Sequence, residues 1–78
     1  MKTTSYYIIR LHFGNTFIFL NKFQFPNFLN ENYKMMLTND VNQAGYFFHD
    51  ECIRIKEYLN NIEVLQYNEN KMLIEVNI

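Results

Sequence analysis

The chain has 78 residues and a mass of 9.6 kDa, enough for one small domain (1–78) but not for a second core of roughly 50 residues. Hydrophobic residues make up 49% of it and charged residues 19%, the balance of a globular rather than a disordered chain. A net charge of -1 with interspersed signs gives no basic stripe for double-stranded nucleic acid, and the longest apolar run, Phe17 to Leu20, is far short of a membrane span.

A domain of this size buries only about 60% of the surface its unfolded chain exposes, so a second copy or a bound partner would add useful stability. Arg10 and His12 interrupt any signal-peptide apolar region, which makes a cytoplasmic protein the expectation. The single cysteine, Cys52, excludes an internal disulfide and agrees with a reducing compartment. Asn, Ile, Phe, Tyr and Lys supply 39 of the residues, and all five have A- and T-rich codons. Asn abundance therefore reads as an AT-rich genome, not a binding signature.

In chain order, the first signal is a β-hairpin. Tyr6 to Phe13 and Thr16 to Phe23 are β-rich runs joined by Gly14-Asn15, and a glycine at the first turn position accepts the positive φ of a type I′ or II′ turn. The register that follows sets Phe13 against Thr16, His12 against Phe17, Leu11 against Ile18, Arg10 against Phe19, Ile9 against Leu20, Ile8 against Asn21, Tyr7 against Lys22 and Tyr6 against Phe23. One face (Ile9, Leu11, Phe13, Ile18, Leu20) is apolar and reads as core. The other mixes Tyr6, Phe17, Phe19 and Phe23 with Arg10, His12 and Asn21, the composition of a surface half covered by something else.

Phe25-Pro26 ends the hairpin, and Asn27 to Asn32 has the chemistry of a connecting loop. A third strand, Tyr33 to Thr38, precedes a helical turn at Val41 to Ala44, capped by Asn39 or Asp40 and stopped by a left-handed Gly45. Tyr46 to Phe48 reads as a brief extended segment anchoring Phe47 or Phe48 in the core. The main helix is expected from Asp50 to Asn60, capped by Asp50 or His49, with Cys52, Ile55, Leu59 and Ile62 as its buried stripe. Period two returns at Ile62 to Tyr67 and, after a three-residue turn at Asn68 to Asn70, at Lys71 to Asn77, which sets Glu63 opposite Glu75. The fold class is α+β: an antiparallel sheet of about five strands, ordered β-β-β, short helix, α, β-β, with one main helix on one face. That helix is too short to cover five strands, so part of the opposite face must meet water, another subunit or a partner.

Catalytic and metal chemistry find little support. Two His and one Cys fall short of a zinc site, and no cofactor or metal is expected. A Cys52 nucleophile paired with His49 would lie on the apolar helix stripe, while Glu63 and Glu75 lack a cleft for acid-base work. The protein is therefore read as a non-enzyme. The feature above background is the aromatic face of the first hairpin, with the candidate partner-binding set Tyr6, Arg10, His12, Phe17, Phe19 and Phe23. That face has three explanations: a second core layer under the chain's own loops, a homodimer or partner-protein surface, or a stacking platform for single-stranded nucleic acid. Arg10 across from Phe19 favours a protein interface, where Arg and aromatic residues concentrate. The missing basic frame makes direct nucleic-acid binding the weaker alternative.

Leu37 to Ala44, Phe47-Phe48, the helix opening His49-Asp50-Glu51-Cys52, and Ile74-Glu75-Val76 together resemble very small phage proteins of AT-rich bacteria. In those proteins a Tyr-Ile-Ile-Arg-type strand leads to a Thr-x-Asp turn, a Phe, a helix and a final acidic-hydrophobic strand. This chain departs from them in having Cys52 at a position where Ala is usual, and a longer, Phe-rich first hairpin. The resemblance implies a phage accessory or anti-defence protein, such as an anti-CRISPR protein, that acts without catalysis by occupying a host defence protein, with a CRISPR effector as the most specific target. A homodimeric phage regulator or adaptor is the remaining alternative.

Overall fold

A computed structural model describes residues 6–78. Five strands, β1 (Ile8–Phe13), β2 (Thr16–Gln24), β3 (Lys34–Thr38), β4 (Ile62–Tyr67) and β5 (Leu73–Glu75), form one antiparallel sheet in the order β3-β2-β1-β4-β5, and helix α1 (His49–Lys56) packs on one face. The arrangement is α+β. Ile8 and Ile9 are both buried although they point to opposite faces, and so are Val64 and Leu65. Strands covered on both sides belong in the interior of a sheet, which is where β1 and β4 lie.

On the helix side, Ile9, Leu11, Leu20 and Val64 meet Phe47 together with Cys52 and Ile55 of α1. Ile9, Leu20 and Ile55 are fully enclosed, each worth about 1.5–3 kcal/mol of burial. Cys52 and Ile55 stand three residues apart, one turn along the buried stripe, as the spacing predicts. Phe13, at the end of β1 beside the turn, is exposed, not core. The opposite face holds a smaller cluster in which Ala44 covers Ile8 and Leu65, with Phe19 and Leu73 packed against it.

The hairpin forms with the expected pairs from Arg10 and Phe19 to Phe13 and Thr16. Gly14 has φ 62° and Asn15 does not have positive φ, which selects the type II′ turn. Beyond Phe19 the expected register gives way. Tyr7 pairs not with Lys22 but with Phe47, exchanging two backbone hydrogen bonds of 2.8 Å. β2 peels away through a β-bulge between Leu20 and Lys22, where the Gly45 N–H donates to the Leu20 carbonyl and Asn21 Nδ2 donates to the Gln43 carbonyl. The bulge reverses the alternation, so Phe23 shares the helix-side face with Leu20 rather than the face assigned to it from strict period two.

The short helix is a single 3-10 turn, Val41–Gln43, capped by Asp40, whose Oδ1 accepts from the Asn42 N–H at 3.0 Å. Gly45 does not take a left-handed φ; its role is the close approach to Asn21. The helix starts one residue earlier and ends four residues sooner than its pattern predicts. Phe48 occupies the cap position, and its N–H donates to Glu51 Oε1 at 2.9 Å, so the stabilising carboxylate reaches back from inside the helix. The Glu57 and Tyr58 amides bond the Arg54 and Ile55 carbonyls, a tightening that closes the last turn before Asn60-Asn61.

The second hairpin has a five-residue connection, Asn68 to Met72, not three. Asn68 Oδ1 accepts from the Asn70 and Met72 amides, and Lys71 takes φ 62°. The register moves by two residues, which preserves the faces but sets Leu65, not Glu63, opposite Glu75. Glu63 pairs instead with Arg10 on β1. Met72 is exposed in the connection rather than part of the apolar face.

Candidate functional site

Three of the six candidate residues come together on the sheet face away from α1. Arg10, in the central strand, reaches sideways to Glu63 of β4, with Nη2 2.6 Å from Oε2. On the other side its guanidinium lies over the Phe17 ring, Cζ 4.2 Å from the centroid. His12 packs edge-on against the same ring at 4.6 Å and places Nε2 against Glu63 Oε1. Neighbouring strands therefore hold the guanidinium between a carboxylate and an aromatic face. Phe17 nevertheless keeps 45% of its surface exposed.

Burial of Glu63 pushes its carboxyl pKa up, but hydrogen bonds to Arg10 and Glu75 and the nearby Arg10 and His12 charges outweigh that, so it lies below the usual value of 4.5. Arg10 Nε is buried with no acceptor among the described residues. A largely buried pair with an unmet donor contributes little net stability, since desolvation offsets much of the attraction, although removing one partner alone leaves the other charge uncompensated.

The other three candidates separate. Phe19 is partly buried against Ile8, Ala44 and Leu65, so for this ring the cover is the chain's own connection. Tyr6 is half exposed near the start of β1 and packs with Phe48 and Tyr46 at 5.2 Å and 5.9 Å. Phe23 belongs to a four-ring cluster on the helix side with Phe25, Tyr33 and Tyr58, and the Arg54 guanidinium stacks 3.9 Å over Phe25. Alternation along β2 cannot reveal that cluster, because its members come from a bulged strand, a loop and the chain just past α1.

Two further features escape the periodicity. Phe28 and Leu29 are 94% and 83% exposed at the tip of a turn closed by reciprocal Asn27 and Asn30 backbone bonds, with Asn27 Oδ1 accepting from the Leu29 and Asn30 amides. The Asn-Phe-Leu-Asn spacing marks the turn but not how far its tip projects. An open cleft of about 600 Å³, lined by β2, β3 and the segment around Tyr46 and Phe47, lies where β2 leaves β1.

Cys52 is fully buried, and desolvation, reinforced by the Glu51 charge and opposed by Lys56, pushes its thiol pKa up to about 11. His49 is half exposed at the start of α1, 3.6 Å from Asp50. Among the described residues no cluster of His, Cys, Asp and Glu could hold a metal, and no helix is long and apolar enough to cross a membrane.

Comparison with family models, with curated proteins and with solved structures finds no match for this chain. The site therefore stands on its own geometry.

Proposed function

We propose that this chain is a non-enzymatic, protein-binding inhibitor that occupies the surface of a bacterial defence protein, in its most specific form an anti-CRISPR protein acting on a CRISPR effector. The observation that carries the binding reading is Arg10, clamped between Glu63 and the Phe17 ring while that ring stays half exposed. A rigid Arg-aromatic pair meets a partner with its side-chain entropy already spent, as interface hot spots do. Mixed charge on this face, with Glu63 and Glu75 near Arg10 and His12, suits a protein surface better than a phosphate backbone. The defence target follows from the resemblance to small phage proteins.

The test is phage plating on a host with an active CRISPR system, with and without the chain, alongside pull-down of the purified effector. Rescue of plating and effector capture are expected, both reduced at least about tenfold by Phe17→Ala. Unchanged plating with no capture overturns the anti-CRISPR form. Tight retention of single-stranded RNA or DNA at low salt would instead favour the nucleic-acid alternative.

A further inference from the structure

The two edges of the sheet are protected unequally. β5 is three residues long and ends in Glu75, whereas β3 offers five residues, about 17 Å of backbone, to solvent. Its sequence, Lys-Met-Met-Leu-Thr, has no proline, and its one charge stands at the first position. The irregularity in the β2–β3 ladder falls between Leu20 and Lys22 of β2, so β3 itself runs unbroken. Among the described residues no strand pairs with the outer edge of β3. Met36 is 58% exposed on one face, and Leu37 is 37% exposed on the other. An edge of this kind is a template for another strand.

We propose that the occupant is a second copy of this chain, with β3 pairing antiparallel to β3 of the partner about a two-fold axis at Met36 to make a continuous ten-stranded sheet. This goes beyond the inhibitor reading and uses a different part of the surface. Symmetry limits the register. In a regular antiparallel ladder opposed residues share a face, so a two-fold axis normal to the sheet must pass between two copies of the same residue, and Met36 is the centre that uses all five positions. Each Met36 then meets its counterpart, Met35 meets Leu37, and Lys34 meets Thr38.

The chemistry of that register is favourable. No like charges oppose each other, and Lys34 of each copy reaches the far end of the other β3, where Asp40 is the next charged residue. Met35 and Leu37 lie on the helix side, opposite Phe23 and Leu20; Met35 already packs against the core there, and Leu37, still 37% exposed, gains apolar cover from Met35 of the second copy. Both copies also turn their Arg10–Phe17 faces to the same side, which makes the dimer bivalent toward any partner.

Sedimentation equilibrium of the full chain at about 100 μM, above the Kd of a modest interface, is expected to give twice the 9.6 kDa chain mass. Met36→Lys puts two lysines together at the axis and is expected to weaken the dimer at least about tenfold. Met36→Cys is expected to cross-link under mild oxidation, because opposed residues fall within disulfide reach, while Lys34→Cys, offset from its copy by four residues along the strand, does not. The native thiol does not confuse the result, since Cys52 is buried. A monomer at that concentration, a dimer indifferent to Met36→Lys, or equal cross-linking at both positions would overturn the proposal.

Discussion

Gly45 lies against the backbone carbonyl of Asn21 so closely that a β-carbon at position 45 would overlap the Asn21 oxygen. The contact joins the β2 bulge to the segment that leads into α1. On one side of it Ala44 covers Ile8 and Leu65; on the other, Phe47 enters the helix-side core and pairs with Tyr7. The chain changes faces here, in the space opened where β2 leaves β1, and the missing side chain lets the two backbones meet.

Gly45→Ala is therefore expected to destabilise the fold by about 2 kcal/mol or more, because the atoms it strikes are backbone and cannot swing aside. Gly14→Ala meets open space and is strained only by φ 62°, a cost of about 1 kcal/mol. Urea titration of both variants reads the contrast as a larger fall in midpoint for Gly45→Ala at unchanged slope. Equal losses would mean that the connection yields at Asn21.

The bulge also explains which parts of the fold were legible. Where local pattern and pairing agree, as from Arg10 to Phe13 or from Ile62 to Tyr67, alternation and turn chemistry set both the strand and the face of each side chain. Phe23 departs from the period-two pattern because one extra residue in β2 reverses every face beyond it, and that residue is held by Gly45 and Gln43, more than twenty positions away. The Glu63–Arg10 pair depends on β4 lying beside β1, a strand order no local pattern contains. The helix cap has no signature at its own position because Phe48 carries no polar side chain; its signal is Glu51, three residues on. Of the candidate site, Arg10, His12 and Phe17 were legible, as alternate residues of β1 with the cross-strand neighbour of one of them.

The two phenylalanines of the outer face should behave differently. Phe19→Ala empties part of the cluster with Ile8, Ala44 and Leu65 and is expected to cost about 2–3 kcal/mol, at the low end for a ring still partly exposed. Phe17→Ala, at a half-exposed position, is expected to change stability by about 1 kcal/mol or less while reducing partner binding. Thermal melts separate the two without knowledge of the partner. A large loss for Phe17→Ala would make that ring core and remove it from the docking surface.

Thiol labelling measures how tightly α1 sits on the sheet. A thiol with pKa near 11 and no exposed surface reacts only when the helix lifts away, so native Cys52 is expected to label with an alkylating reagent at pH 8 far more slowly than in the urea-unfolded chain. Labelling within a few-fold of the unfolded rate would show that the helix opens readily and would reopen a reactive role for Cys52.

Acid should loosen the clamp on Arg10. The Glu63 carboxyl titrates below its ordinary 4.5 in the folded chain, so in acid the unfolded state binds the proton first. The stability linked to that shift is fully present above about pH 4.5 and is lost as pH falls through the lower folded value, when Glu63 is protonated and Arg10 is left half buried without its counter-charge. Glu63→Gln imposes the same loss at every pH, about 1–2 kcal/mol for a pair that retains some solvent contact. Unfolding free energies of the two proteins measured from pH 7 to pH 3 are therefore expected to converge as pH falls. If the gap stayed constant, ionisation of Glu63 would not be the source of the difference, and its pairing with Arg10 would not be what acid removes.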